Sequence, residues 1–198
     1  MTELKGKVVL VTGAGKGAGR SIAQAFASQG AFLAINDLTP INLDETEAWI
    51  LAAGGQVKAY IADVTKKLPI QGLVNAVLDD WGQIDILVNC ASVKPASSLL
   101  DMDDWDWQRT LDVNLTGVFL LMQSVGRVMR TQRGGKMVMI GPGPNSEPNF
   151  GAYSISKAGL VELYAQARQE FSKLDIQVML IDPMDETDLI KQALIFCS

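Results

Sequence analysis

"KVVLVTGAGKGAGRSIAQAFASQG" (residues 7–30) decides the fold. It opens on an apolar, β-branched run over 7–12, passes through the glycine-rich turn "TGAGKGAG" (12–19), and continues into a segment of helical periodicity that Gly30 ends. A strand entering a helix through such a turn presents unpaired backbone N–H groups and the positive end of the helix dipole to whatever lies beyond it, which is a phosphate-binding arrangement. Gly13 allows the tight turn, Gly17 lets the backbone approach a phosphate, and Gly19 lets helix pack on strand. Thr12, Lys16 and Ala18 complete the candidate turn.

The same alternation fills the chain. "FLAIND" (32–37), "QVKAYIAD" (56–63), "IDILVN" (84–89), "KMVMIG" (136–141) and "IQVMLID" (176–182) read as further strands, separated by segments of helical period near 44–53, 70–81, from 101, from the helix carrying Tyr153 to about 173, and 186–196. Six parallel strands with right-handed crossovers imply an α/β, Rossmann-type doubly wound sheet of order 3-2-1-4-5-6 in a single domain spanning 1–198. Asp37 ends the second strand about twenty residues beyond the glycines, where a carboxylate accepts both hydroxyls of an adenosine ribose and repels a 2′-phosphate; this favours NAD over NADP. Lys16 points the other way if it meets a 2′-phosphate, and is otherwise a solvated loop lysine.

Composition excludes much else. The 198 residues are 48% hydrophobic, enough for a core, and carry a net charge of −5, which argues against nucleic acid or an anionic membrane as partner. No apolar run approaches a membrane span and the N-terminus lacks a signal-peptide core, so a cytoplasmic protein is expected. With no histidine and only Cys90 and Cys197, neither a His-based triad nor a metal centre is expected. Acid–base chemistry then falls to residues such as Tyr153 and Lys157, one helical turn apart, where the lysine stabilises a phenolate.

With the glycine turn, Asp37, "ADV" (62–64), "NCA" (89–91), "VNLTG" (113–117) and "YSISK" (153–157) in this order, the chain resembles the short-chain dehydrogenase/reductase family over nearly its whole length. The resemblance implies that Asp63 and Val64 contact adenine, and that Leu38, Asn89, Cys90 and Ala91 border the cofactor groove. It further implies that Asn114 orders a relay water, that Tyr153 is the general acid/base with Lys157 on the nicotinamide ribose, and that Pro183 borders the nicotinamide. Small-molecule alcohols or ketones would be the substrates. Cys90 reads equally as a packing residue and Asn114 as a buried helix-end amide.

Two departures stand out. The family's substrate-holding serine belongs just past the fifth strand, where this chain has Gly141-Pro142 and neither offers a side-chain donor. Either Ser146 or Asn145 folds back to replace it, or "PGPNSEPN" is simply a turn-rich loop. After Pro183 the family's glycine is Met184, the usual substrate-covering helices are missing, and a seventh strand is expected to be absent, leaving the sixth as an edge. A homodimer through the helices near 114–131 and 152–172 is expected, with the stripe Val118, Leu121, Met122, Val125, Val128 and Met129 serving as interface or core.

Overall fold

The computed structural model describes residues 4–143 and 148–198. Strands β1 (Val8–Thr12), β2 (Phe32–Asp37), β3 (Gln56–Ile61), β4 (Ile86–Asn89), β5 (Gly135–Ile140) and β6 (Ile176–Ile181) form one six-stranded sheet in the order β3-β2-β1-β4-β5-β6, and every pairing is parallel. The order is the one the sequence implied.

All five residues of β1 are buried, because helices cover both faces of the sheet; a strand buried twice over must be a continuous apolar run, as "VVLVT" is. Its side chains divide by parity. Val9 and Val11 pack with helices α1 (Gly17–Ser28), α2 (Pro40–Ala52) and α7 (Glu186–Cys197) through Ile22, Phe26, Leu43, Ile50, Leu189 and Ala193. Val8 and Leu10 pack on the other side with α3 (Lys67–Trp81), α5 (Gly117–Gln132) and α6 (Gly151–Phe171) through Ile70, Val77, Leu121, Val125 and Leu160. The edge strand β3 exposes Gln56, Lys58 and Ile61 and buries only Val57, as a half-covered edge can.

The Val118–Met129 stripe lies in the second core: Val118, Leu121, Met122, Val125 and Met129 are buried and Val128 packs partly against them. The stripe therefore faces the sheet. Helical residues of α5 and α6 left outside it, including Phe119, Arg127, Leu163 and Gln166, line a separate outward groove of about 370 Å³.

The sequence pattern read as helical from 101 onward is not one helix. Helix α4 (Asp104–Leu111) is capped by Asp103, whose carboxylate accepts from Trp105 N at 2.7 Å, and a π-helical turn over Asp112–Thr116 separates it from α5. Gly117 marks the junction: a Cβ there would lie 2.8 Å from Val64 O, so only glycine lets the helix pass that close to the β3–α3 connection. Beyond β6, residues 182–185 lead directly into α7, with no helix inserted between. Leu189, Ala193 and Cys197 of α7 are buried, so the helix covers one face of the sheet near β6, while no described strand pairs with the outer edge of β6.

Candidate active site

Thr12, Asn89, Ile140 and Ile181 end four neighbouring strands, and the order reverses between β1 and β4, so a crevice opens at the carboxyl ends of the strands. One wall is the glycine turn. Gly13 (φ +64°) packs so tightly that a Cβ would be 2.7 Å from Ala91 Cα, and a Cβ on Gly19 would be 2.2 Å from Gly13 O. Gly17 (φ +52°) differs, because a Cβ there would meet nothing within 4 Å. Two glycines thus close the turn on itself, and the third turns bare backbone toward open space at the start of α1, whose first turn has no side-chain cap.

The turn is braced from outside. Asp37 Oδ2 accepts from Gly15 N at 2.9 Å, while Oδ1 accepts from Leu38 N at 2.7 Å and Thr39 N at 3.1 Å. Arg20 donates to Gly15 O, to Asn42 O and to Glu45, and its Nε reaches Thr46 Oγ1 at 3.0 Å; Thr46 in turn donates to Ala14 O at 2.9 Å. Gly15, Arg20 and Thr46 were not singled out in the sequence, since nothing local in "GRS" or "DET" announces contacts twenty to thirty residues away.

Lys16, Gly17, Ala18, Gly19, Asp37, Leu38, Asp63, Val64, Cys90 and Ala91 join Gly13 around a groove of about 460 Å³, together with Asn36, Thr39, Ala62, Ser92, Val93, Arg109 and Val113. Asp63 sits at one end. Burial pushes its carboxyl up, but the Thr65 N–H and hydroxyl at 2.9 and 2.7 Å and the charges of Lys66 and Arg109 outweigh that and hold it below the usual carboxylate value. Thr12 and Asn89 are buried behind the groove rather than lining it: Thr12 Oγ1 accepts from Ala91 N at 3.4 Å, and Asn89 Oδ1 is buried without a partner among the described residues. The residues fit a dinucleotide: bare backbone N–H for a pyrophosphate, a carboxylate with acceptor capacity remaining for a ribose, and a second carboxylate for an amino group.

Tyr153, Lys157 and Pro183 are not among the residues lining that groove; they lie past its Cys90 end. Lys157 is 5% exposed, its Nζ donates to Ile140 O at 2.7 Å and lies 5.5 Å from the Tyr153 ring centroid. Burial pulls its ammonium down to about 8, against which negative charge on Cys90, when that group is ionised, and on Asp182 pushes upward. Tyr153 moves the opposite way from the expectation. Burial raises the phenol above its ordinary value and Asp182 raises it further, so in the protein alone Lys157 does not make this tyrosine acidic. Asp182, the residue before Pro183, also accepts from Gly143 N at 2.6 Å, and Gly141 N donates to Ile181 O at 2.6 Å. The position of the missing serine is thus backbone tied to the end of β6 and to Asp182 just beyond it. Ser146 and Asn145 lie outside the described residues.

Asn114 is buried within the π-helical turn and its amide is fully committed. Oδ1 accepts from Val93 N at 2.9 Å and Ser92 Oγ at 3.2 Å, while Nδ2 donates to Val93 O at 2.9 Å and Ser156 Oγ at 3.1 Å. That uses two donors and two acceptor positions, leaving no amide capacity for a water. Asn114 holds the loop after β4 against α6.

A family model described as short chain dehydrogenase matches residues 7–193. The chain belongs to the short-chain dehydrogenase family. It is 33% identical over 189 residues to 2,3-dihydro-2,3-dihydroxybenzoate dehydrogenase of Bacillus subtilis (strain 168), covering 94% of this chain and 72% of that protein. Among solved structures, a metagenomic short-chain oxidoreductase in complex with NADP superposes with a TM-score of 0.91 at 28% identity, covering 98% of this chain and 91% of that one. NAD+-bound xylitol dehydrogenase gives 0.88 at 33% identity, covering 92% and 71%. Membership of this short-chain dehydrogenase family makes the chain an oxidoreductase in the broad sense. No helix among the described residues is long and apolar enough to cross a membrane.

Proposed function

We propose that the chain transfers hydride between a nicotinamide nucleotide and a small secondary alcohol or ketone, with Tyr153 as general acid/base. The convergence of Tyr153 and Lys157 past the Cys90 end of a groove suited to a dinucleotide carries this reading. A bound nicotinamide nucleotide supplies the hydride donor or acceptor and, when oxidised, a positive ring. Gly17 and its neighbours would hold the pyrophosphate, Asp37 the adenosine ribose, Asp63 the adenine, and Lys157 the nicotinamide ribose, with Pro183 beside the ring. Asp37 favours NAD, and Lys16 is the feature that would admit NADP.

With its proton affinity raised by burial and Asp182, Tyr153 in the protein alone holds its proton, the form that would donate in carbonyl reduction, while alcohol oxidation would need the phenolate. The link 182–185 carries no helix to cover a substrate, and low turnover would fit a reaction centre without such a cover. Fluorescence titration with NADH and NADPH followed by ketone assays of wild type and Tyr153→Phe tests the reading: binding with Tyr153-dependent turnover supports it, and absence of nucleotide binding defeats it.

One observation favours a second reading, a nucleotide-binding protein that acts through a partner. The backbone where the serine belongs spends the N–H of Gly141 on Ile181 O and that of Gly143 on the Asp182 carboxylate. Nucleotide binding with no Tyr153-dependent turnover on any ketone would decide for it. We further propose a homodimer through the outward α5–α6 groove; light scattering that finds only monomer would overturn it.

A further inference from the structure

Strands β5 and β6 end side by side, Ile140 opposite Ile181, and the reaction centre is built across that seam. Lys157 Nζ donates to Ile140 O at 2.7 Å and lies 5.5 Å from the Tyr153 ring centroid. One residue on, Gly141 N donates to Ile181 O, and Asp182 Oδ1 accepts from Gly143 N at 2.6 Å. A Cβ on Gly141 would stand 3.1 Å from that same Oδ1 and 3.0 Å from Ile181 O, so a neighbour would have to shift. The bare backbone at 141 and the carboxylate at 182 therefore go together.

Asp182 is exposed, and its charge reaches both Tyr153 and Lys157, raising each. A carboxylate has about four acceptor positions on its two oxygens, and Gly143 N takes one of them on Oδ1. Where the family places a hydroxyl that donates, this chain places a group that in its charged form only accepts. An acceptor beside the reacting carbon calls for a donor on the substrate. Lys157 beside the ring, and Lys94 on the loop 92–97 with its Nζ 5.3 Å from the same centroid, bring positive charge, so a neutral hydroxyl suits the place better than an ammonium. A carboxylate on the substrate would meet Asp182 as a like charge.

We propose that Asp182 is a specificity-determining residue that accepts a hydrogen bond from a hydroxyl on the carbon next to the reacting one, so that the substrates are α-hydroxy ketones and vicinal diols. This rests on the reading of Tyr153 as general acid/base and deepens it. The bound hydroxyl keeps its proton throughout, so the contact adds no chemical step and serves to orient the reacting carbon toward Tyr153. The bond to Gly143 N makes this role separable from a structural one. In Asp182→Asn the amide oxygen keeps Gly143 N, and the amide NH2 takes the place of Oδ2, which turns an acceptor into a donor.

The test compares the full wild-type chain with Asp182→Asn on isosteric pairs, using NADH or NADPH, whichever binds. Hydroxyacetone and butanone differ by a hydroxyl against a methyl. In wild type kcat/KM should favour hydroxyacetone, and Asp182→Asn should lower that ratio about 10-fold, with intrinsic reactivity cancelling between the two proteins. An unchanged ratio overturns the proposal. A second readout needs no turnover: the protein loaded with reduced nucleotide is titrated with propylene glycol, sec-butanol and isopropanolamine, alcohols that cannot react with it, and followed by nucleotide fluorescence. Propylene glycol should bind about 10-fold more tightly than sec-butanol in wild type and no more tightly in Asp182→Asn. Equal binding in wild type, or none, overturns the assignment even if no ketone is reduced, and tightest binding of isopropanolamine overturns it in favour of a cation subsite. Full hydroxyacetone turnover in Tyr153→Phe would instead sink the underlying reading while the glycol titration still judges Asp182, and absence of nucleotide binding would sink both.

Discussion

Replacing Lys157 with methionine tests the electrostatics of the site without reference to any ligand. In the folded protein the Lys157 ammonium is pulled from 10.5 down to about 8, mainly by burial. At about 1.4 kcal/mol per tenfold change in proton affinity, keeping this group charged costs the folded state about 3 kcal/mol at neutral pH. Methionine keeps most of the apolar stem but abandons the bond to Ile140 O, which costs about 1–3 kcal/mol. At pH 7 the variant should therefore equal wild type or exceed it by up to about 2 kcal/mol. Between pH 8 and 10.5 the unfolded wild-type chain binds the Lys157 proton more tightly than the folded chain, so wild-type stability gains relative to the variant as pH rises. Above that window the burial cost is gone, only the lost hydrogen bond separates the two, and wild type should lead. Urea unfolding followed by circular dichroism at several pH values gives the difference, in which groups common to both proteins cancel. A difference that stays constant from pH 7 to 10 refutes the reasoning.

Gly19→Ala forces a Cβ to 2.2 Å from Gly13 O and should cost about 3 kcal/mol, seen as a lower Tm together with lost nucleotide binding; a variant that melts and binds like wild type contradicts the closed turn. Asp182→Asn retains an acceptor for Gly143 N and removes the negative charge, so Tyr153 should ionise at lower pH and Lys157 lose its proton more readily. Titration by tyrosinate absorbance would show the first effect, and an unmoved transition would count against Asp182. Burial pushes both thiols, Cys90 and Cys197, up to about 12, so Ellman's reagent at about pH 8 should label neither in the folded protein and both after unfolding. Rapid labelling of the native protein would show that the site is more open than its packing indicates.

The strand order was legible because buried parallel strands are contiguous apolar runs and their crossovers obey one hand, so "VVLVT", "ILVN" and "IQVMLI" needed only to be counted in sequence. Local packing was legible too: a Cβ on Gly13 or Gly19 would collide with backbone, and one on Gly17 would meet nothing, as a tight strand–turn–helix connection requires. What stayed hidden depends on partners distant in the chain. Nothing near Lys94 predicts that Asn114 and Asn149 would lay its loop along α6, and nothing near Asp182 predicts its bond to Gly143. Burial and a carboxylate twenty-nine residues later raise Tyr153 in the protein alone, and nothing in its spacing to Lys157 announces either. The π-helical turn at Asp112–Thr116 escaped because one extra residue per turn leaves the apolar spacing nearly unchanged.

The double duty of Asp37 limits how this protein could be altered. In the proposed binding mode its carboxylate would meet the adenosine ribose, and in the structure it is already the brace on Gly15 N, while through Arg20 and Thr46 the same turn is fastened to α2. Exchanging it for a small neutral residue, the obvious step toward a phosphorylated cofactor, would loosen the pyrophosphate seat in the same stroke. A change of cofactor is therefore expected to need at least two coordinated substitutions, one to admit the new charge and one to rebuild the turn. Along any path of single replacements, the intermediate would hold either nucleotide poorly.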